Sequence, residues 1–205
     1  MKQAELTHQH PDSCIVMFAR APVKGQVKTR LIPALGEQGA LDMHVQLMNR
    51  QMAVLNKSTL CPKQLWVDQM QEHSAFVPFE GAVKLQKGIS LGDKMFYAAE
   101  DVLRSSSQVV IIGSDCPGID ESYLELALQE LDKSINDVVL GPAMDGGYVL
   151  IAMKHPHHEI FQDIDWGSEL VLQQTINRIQ NCDLGFSTLP ALRDIDTAGD
   201  LESLL

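Results

Sequence analysis

Residues 14–31 read CIVMFARAPVKGQVKTRL, and the change of character within this stretch decides the fold. Cys14-Ile15-Val16-Met17-Phe18-Ala19 is a short apolar run, rich in Ile and Val and closed by turn formers, which predicts a buried strand. Arg20, Lys24, Lys28 and Arg30 then fall within eleven residues, with Pro22 and Gly25 between them. A buried strand that runs straight into a polar loop is the repeating unit of an open α/β sheet. Ligands of such sheets sit outside the carboxyl ends of the strands, where this loop would lie. The four cations read equally as a phosphate cradle or as a solvated basic turn. The loop is not a P-loop, because that motif needs G-x-x-x-x-G-K-[ST] and here Gly25 is followed by Gln26, Val27 and Lys28.

The bulk numbers narrow the class. A chain of 205 residues suffices for one α/β domain and is short for two. Its net charge of −11 excludes the usual profile of a domain that holds DNA or RNA, which is basic. The same acidity makes a cluster of four cations in one loop more telling. The opening MKQAELTHQHPDS is polar and lacks a signal-peptide core, so residues 1–13 are expected to be a flexible tail. No apolar run approaches the roughly 20 residues of a membrane helix, so no membrane partner is expected. Cys14, Cys61, Cys116 and Cys182 are scattered with no C-x-x-C pair, which argues against a zinc knuckle and a disulfide framework; reduced thiols in the cytoplasm are expected. Nothing in the sequence sets the oligomeric state.

Along the chain, Leu41, Val45, Met48, Met52 and Leu55 predict one apolar face of a helix over 38–56, opened by Gly36 and Glu37. His44 borders that face and reads as a boundary residue with a local hydrogen bond. Strands are expected over 63–69, 83–85, 108–113, 138–142, 148–152 and 184–189. Helices are expected over 91–104, from Asp120 or Ser122 to about 134, and after Ser168, whose hydroxyl fits an N-cap. Gly88 and Gly92 either let backbone amides approach a ligand or simply turn the chain into a helix. QVVIIG at 108–113 is the clearest buried strand, and it delivers Asp115 to a strand's carboxyl end. Asp115 faces a ligand crevice there, or caps its own turn. Asp145-Gly146-Gly147 is turn chemistry that joins two strands. His155, His157 and His158 lack the spacing of a metal site and read as a solvated loop. Trp166 is a core anchor or a stacking surface, and Asp196 or Thr197 caps a last helix.

ARAPVKGQVKTRL, over 19–31, resembles the opening of a bacterial family of glycosyltransferase-A-like proteins of unknown function. That family is related to the guanylyltransferase that activates phospholactate and, more distantly, to molybdenum cofactor guanylyltransferases and sugar-nucleotide pyrophosphorylases. The segments Q-x-G-x-x-L-G-x-x-M (86–95), S-D-x-P (114–117), G-P-A-x-D-G-G-Y (141–148), D-W-G (165–167) and D-I-D-T-x-x-D-L (194–201) repeat the resemblance in order. It implies a glycosyltransferase-A-like three-layer α/β/α sandwich over 14–205, with a mostly parallel, mixed sheet. It also implies that Arg20, Ala21, Pro22, Lys24, Lys28, Arg30, Gln86, Gly88 and Gly92 bind a nucleotide. Asp115 and Asp196 would hold Mg²⁺ or Mn²⁺, with Lys28 and Asp115 catalytic. Asp145, Gly146, Gly147 and Trp166 would lie on the acceptor side. Many relatives carry an acid where Met144 stands, so one contact is missing here.

The resulting expectation is a divalent-metal-dependent transferase that binds a nucleoside triphosphate or nucleotide-sugar, with nucleotidyl transfer to a small phosphorylated or hydroxyl acceptor. A nucleotide-sugar glycosyltransferase and a non-catalytic nucleotide-binding module are the alternatives. Asp115-Cys116-Pro117 lacks the second aspartate of a D-x-D turn, which tilts the reading toward nucleotidyl transfer. Without metal, Asp115 and Asp196 are expected to repel each other. Replacing Lys28 or Arg30 by Ala is expected to weaken nucleotide binding and leave the free protein's melting temperature nearly unchanged.

Overall fold

Two apolar strands, β1 (Ser13–Ala19) and β4 (Gln108–Ile112), lie side by side and parallel at the centre of the sheet in a computed structural model that describes residues 7–69 and 74–204. Their polar first residues pair with each other, Ser13 Oγ donating to Gln108 Oε1 at 3.0 Å. The remaining strands are β2 (Lys63–Val67), β3 (Ala82–Leu85), β5 (Val138–Pro142), β6 (Tyr148–Met153) and β7 (Phe186–Thr188). Among the described residues these seven form one sheet in the order β3-β2-β1-β4-β6-β5-β7. Neighbours are parallel except where β6 runs against β4 and β5. The Asp-Gly-Gly turn makes the β5–β6 hairpin, as expected.

A parallel sheet with apolar central strands must be covered on both faces. Helices α1 (Ile32–Lys57) and α3 (Glu121–Asp132) cover one, and α2 (Leu91–Val102) and α4 (Val171–Asn181) the other. The result is the expected three-layer α/β/α sandwich. The chain winds outward from β1 to β2 and β3, then crosses to β4 on the other side of β1. The loops after β1 and β4 therefore part at a topological switch point, where open sheets bind ligands.

Several local expectations need correction. Residues 9–13 are not a loose tail: the Gln9 and His10 amides donate to the carbonyls of Thr59 and Leu60, and β1 starts at Ser13. The tail's first six residues lie outside the described residues. The buried face of α1 is rotated from the expected one, to Ala40, His44, Leu47, Met48, Gln51, Met52 and Leu55, leaving Leu41 and Val45 half-buried. Polar His44 and Gln51 are tolerated there because each reaches a backbone carbonyl, that of Arg20 and that of Ile119. A left-handed Gly36 (φ 70°) breaks the helix, so the main rod starts where expected, after a short helical turn that carries Pro33. Ser168 is not the N-cap of α4; its hydroxyl accepts from the Leu170 amide and the helix starts at Val171. The final 3₁₀ segment, Ala198–Leu204, does start after Thr197 as expected: the Thr197 carbonyl accepts from the Asp200 amide, and Asp200 reaches back to accept from the amides of Thr197 and Asp196. His158 is not solvated loop either: it opens a 3₁₀ turn and packs on Phe96.

The start of α3 resolves to Asp120, whose Oδ1 accepts from the Tyr123 amide at 2.8 Å. Asp120→Ala is expected to cost about 1 kcal/mol in urea denaturation and Asp120→Asn only a few tenths, because Asn keeps the bond. Equal losses in the two variants would show that the charge, not the cap, matters.

Candidate active site

The basic loop after β1 is folded inward. Val27 and Leu31 are buried in the core, and Lys28 between them takes a left-handed backbone (φ 46°), rare for a residue with a side chain. The loop's root is fixed by Asp68, just past β2, whose carboxylate accepts from the Ala21 amide at 2.7 Å and lies 3.6 Å from Arg20 Nε. His44 of α1 holds the same root from below, its Nε2 3.0 Å from the Arg20 carbonyl. A carbonyl only accepts, so Nε2 carries the proton. Burial lowers the His44 pKa below its ordinary 6.5, and the bond to Arg20 opposes the shift only in part.

This folding sends the Lys28 ammonium into the sheet's carboxyl end. It lies 2.8 Å from Asp115 Oδ2 and 3.5 Å from Asp196 Oδ1, with its side chain 5% exposed. Arg30 binds the other oxygen of Asp196 at 3.0 Å. Asp115 follows β4, as predicted. Asp196 arrives because the chain after β7 is laid beside the β4 and β5 ends: Leu192 N donates to Pro142 O, and Ile195 N to Asp115 O at 3.1 Å. Thus two carboxylates eighty-one positions apart meet at one ammonium. Lys28 stands between them and offsets their expected repulsion. Asp194 completes the acidic floor. Burial pushes its carboxyl up to about 6, and the charges of Asp115 and Asp145 push the same way.

Two cavities meet at this floor and share Phe18, Leu91, Gly113, Asp115 and Asp196. One, of about 430 Å³, lies under the basic loop and takes Arg20, Lys28 and Gln86 from the predicted set. The other, of about 350 Å³, takes Arg30, Asp145, Gly147 and Trp166. Arg30 therefore faces the second cavity rather than the first. Lys24 is exposed and lines neither. Ala21 and Pro22 are buried, and the Ala21 amide is already committed to Asp68. Packing leaves no room for a side chain at Gly88, whose φ of 113° also favours glycine, or at Gly92. A Cβ on Gly88 would stand 2.4 Å from that of Asp93, and one on Gly92 2.8 Å from the Trp166 ring. Gly146 is likewise pressed against the Glu169 carbonyl. Trp166 is half-buried, set edge-on to Tyr148, and still lines the second cavity, so anchor and wall are the same residue.

Sequence reading missed Asp68, Lys94 and Asp194. Asp68 stood in view as an acid at a strand end, like Asp115. Asp194 lies two before Asp196, the spacing that puts both on one side of an extended chain. Lys94 follows the α2 cap and lines the first cavity, with no pattern to single it out. Among the described residues no three His, Cys, Asp or Glu side chains are set to hold a metal ion. Two carboxylates at one point suit a hard cation that draws its other ligands from phosphate and water, as Mg²⁺ and Mn²⁺ do, and do not suit zinc.

A sheet of this order with acids gathered at the switch point defines the nucleotide-diphospho-sugar transferase fold, and solved structures agree. A Desulfovibrio desulfuricans protein provisionally described as a nucleotide-diphospho-sugar transferase matches with TM-score 0.86 and 28% identity, over 95% of this chain and 86% of that one. 4-Diphosphocytidyl-2C-methyl-D-erythritol synthase from Anaerococcus prevotii matches at TM-score 0.61 and 11% identity, over 98% and 97%. CMP:2-keto-3-deoxy-manno-octonic acid synthetase complexed with CTP matches at 0.58 and 13%, over 94% and 96%. These last two share the fold. The chain belongs to the family described as "Uncharacterized protein conserved in bacteria (DUF2064)", whose profile matches residues 51–168. No curated protein matches it in sequence.

The buried, ion-paired ammonium argues for a stability cost on losing Lys28, against the expectation of none. Lys28→Met should lose about 1–3 kcal/mol of unfolding free energy, below the cost of a fully buried pair because water reaches both carboxylates. Adding Asp115→Asn should restore part of it in a double-mutant cycle, and additive losses would show that the pair does not couple.

His44 sets a pH dependence. Its folded pKa is lowered, so the unfolded chain takes up the proton first and stability falls as pH drops below about 6.5. The stability difference between wild type and His44→Gln should be flat above that pH and shift against wild type below it. A difference that stays flat to pH 5 would refute the assignment.

Proposed function

We propose that this protein is a divalent-metal-dependent nucleotidyltransferase. One observation carries the reading: Asp115 and Asp196, from distant strand ends, converge on Lys28 where two cavities join. The first cavity is the donor side, where Arg20, Lys28 and Lys94 meet the phosphates of a nucleoside triphosphate. Gln86 is held there by its bond to the Trp66 carbonyl at 2.9 Å, on the wall available to the nucleoside. The second cavity is the acceptor side, walled by Trp166 and floored by Asp145 and Asp194.

Asp115 and Asp196 would hold Mg²⁺ or Mn²⁺, which neutralises phosphate charge and polarises the α-phosphorus when bound. The Lys28 ammonium is close enough to both carboxylates to be exchanged from them to the donor phosphates. Arg30 keeps Asp196 in place from the acceptor side. An acceptor oxygen attacks the α-phosphorus and pyrophosphate leaves. Catalysis in this class is chiefly positioning and charge stabilisation, for which this residue set is adequate. Transfer of a nucleotide is favoured over transfer of a sugar because the turn at Asp115-Cys116-Pro117 offers one aspartate where D-x-D offers two.

The test is a thermal-shift panel of nucleoside triphosphates and nucleotide-sugars, with and without Mn²⁺. Wild type should be stabilised by a triphosphate only when Mn²⁺ is present. Asp115→Asn should lose this metal-dependent shift while remaining folded, and Asp196→Asn should need about tenfold more Mn²⁺. An equal response in wild type and Asp115→Asn defeats the mechanism.

A further inference from the structure

The two cavities differ in charge. Charged residues lining the first are Arg20, Lys28 and Lys94 against Asp68, Asp115 and Asp196, an even balance. Those lining the second are Arg30 alone against Asp115, Asp145, Asp194 and Asp196. Arg30 already shares its charge with one of these acids, its NH1 3.0 Å from Asp196. A side recess of about 220 Å³ continues past Arg30 and adds Arg193, but Asp200 comes with it and binds it at 3.2 Å. An ion shared by Asp115 and Asp196 would offset those two acids and leave Asp145 and Asp194 facing whatever enters. The rest of the wall is apolar and aromatic, with Phe18, Met95, Tyr148 and Trp166 prominent.

We infer that the acceptor carries no phosphate: it is an uncharged or cationic molecule with an apolar flank and a reactive hydroxyl. This rests on the transferase reading above. A phosphorylated acceptor would bring negative charge into a cavity lined by four carboxylates and one cation, and like charges at close range oppose binding strongly. The carboxylates suit a hydroxyl in a second way. A phosphate nucleophile arrives deprotonated, whereas a hydroxyl must shed a proton. In the step that follows, the hydroxyl oxygen forms a bond to the α-phosphorus and the bridging α–β bond breaks. Its electron pair leaves with pyrophosphate, and the hydroxyl proton passes to Asp145 and on to water. Asp145 commits Oδ1 to the Gly147 amide at 2.9 Å and keeps Oδ2 for this task.

The test uses matched pairs that differ by one phosphate: ethanolamine with phosphoethanolamine, glycerol with glycerol 3-phosphate, and inositol with inositol 1-phosphate. Each is titrated into the full ¹⁵N-labelled chain, read at the Trp166 indole N–H, which Trp166→Phe assigns. The phosphate-free member of at least one pair should bind about tenfold or more tightly than its partner, with no pair reversed. Asp145→Asn, which keeps an oxygen for the Gly147 amide, should narrow that preference several-fold. Tighter binding of a phosphorylated member, no preference in any pair, or a preference indifferent to Asp145→Asn overturns the inference. Nucleotide binding is scored separately by thermal shift with Mn²⁺. Its absence defeats the transferase reading and this one with it, whereas a phosphate preference at Trp166 defeats this one alone.

Discussion

The Lys28 ammonium, held between Asp115 and Asp196, is the interaction on which the site depends. An amine that is barely exposed must be paired, since an unpaired buried charge is far costlier than the pair is worth. That requirement fixes three separate pieces of chain. The loop after β1 must dip inward, and it does so by burying Val27 and Leu31 on either side and by accepting a left-handed backbone at residue 28. The turn after β4 must present Asp115. The tail after β7 must come back across the β5 and β4 ends to deliver Asp196. In the free protein the lysine supplies the positive charge that two facing carboxylates need. The proposed metal would take over that duty and release the lysine to phosphate.

Strand order explains why there are two cavities. β1 and β4 separate the outward windings of the chain, so the loop after β1 roofs one side and the β5–β6 turn roofs the other. The reversed strand β6, beside β4, forces the Asp145 turn to the same end as the other loops. A crossover helix there would have filled the second cavity. Gly92 and Gly146 then set its width, by letting Trp166 and the chain before α4 approach closely.

Much of this was legible in the sequence. β1 and β4 could be read as central because an uninterrupted apolar strand has nowhere else to go, and the turn residues that follow each marked the ligand-binding end. Asp115 was legible for the same reason. What the sequence hid is partnership. Nothing local in KGQVKTR distinguishes Lys28, which is buried, from Lys24, which is exposed. The difference comes with the burial of Val27 and Leu31 on either side of Lys28, which no local pattern announces. The rotated face of α1 was misjudged because His44 and Gln51 count as polar until their carbonyl partners are known. The cap at Ser168 failed because several polar residues compete for the same amides, and only the fold decides which one reaches. Gly88 and Gly92 matched the pattern of a ligand-binding turn, and the fold also leaves no room for a side chain at either.

The central pairing of β1 with β4 bears on the chain as it is synthesised. β1 gains β2 once residue 67 has emerged, but its other edge waits for β4, which pairs with it 95 positions later in sequence. Until then this buried, apolar strand presents an open hydrogen-bonding edge, the kind that recruits strands of other chains. Arg20, Lys24 and Lys28 follow it directly, as charged residues flank many aggregation-prone strands. The cations that gather at the finished site thus also guard its first strand while the protein is only half made, and in that setting Lys24, idle in the folded cleft, counts as much as the others.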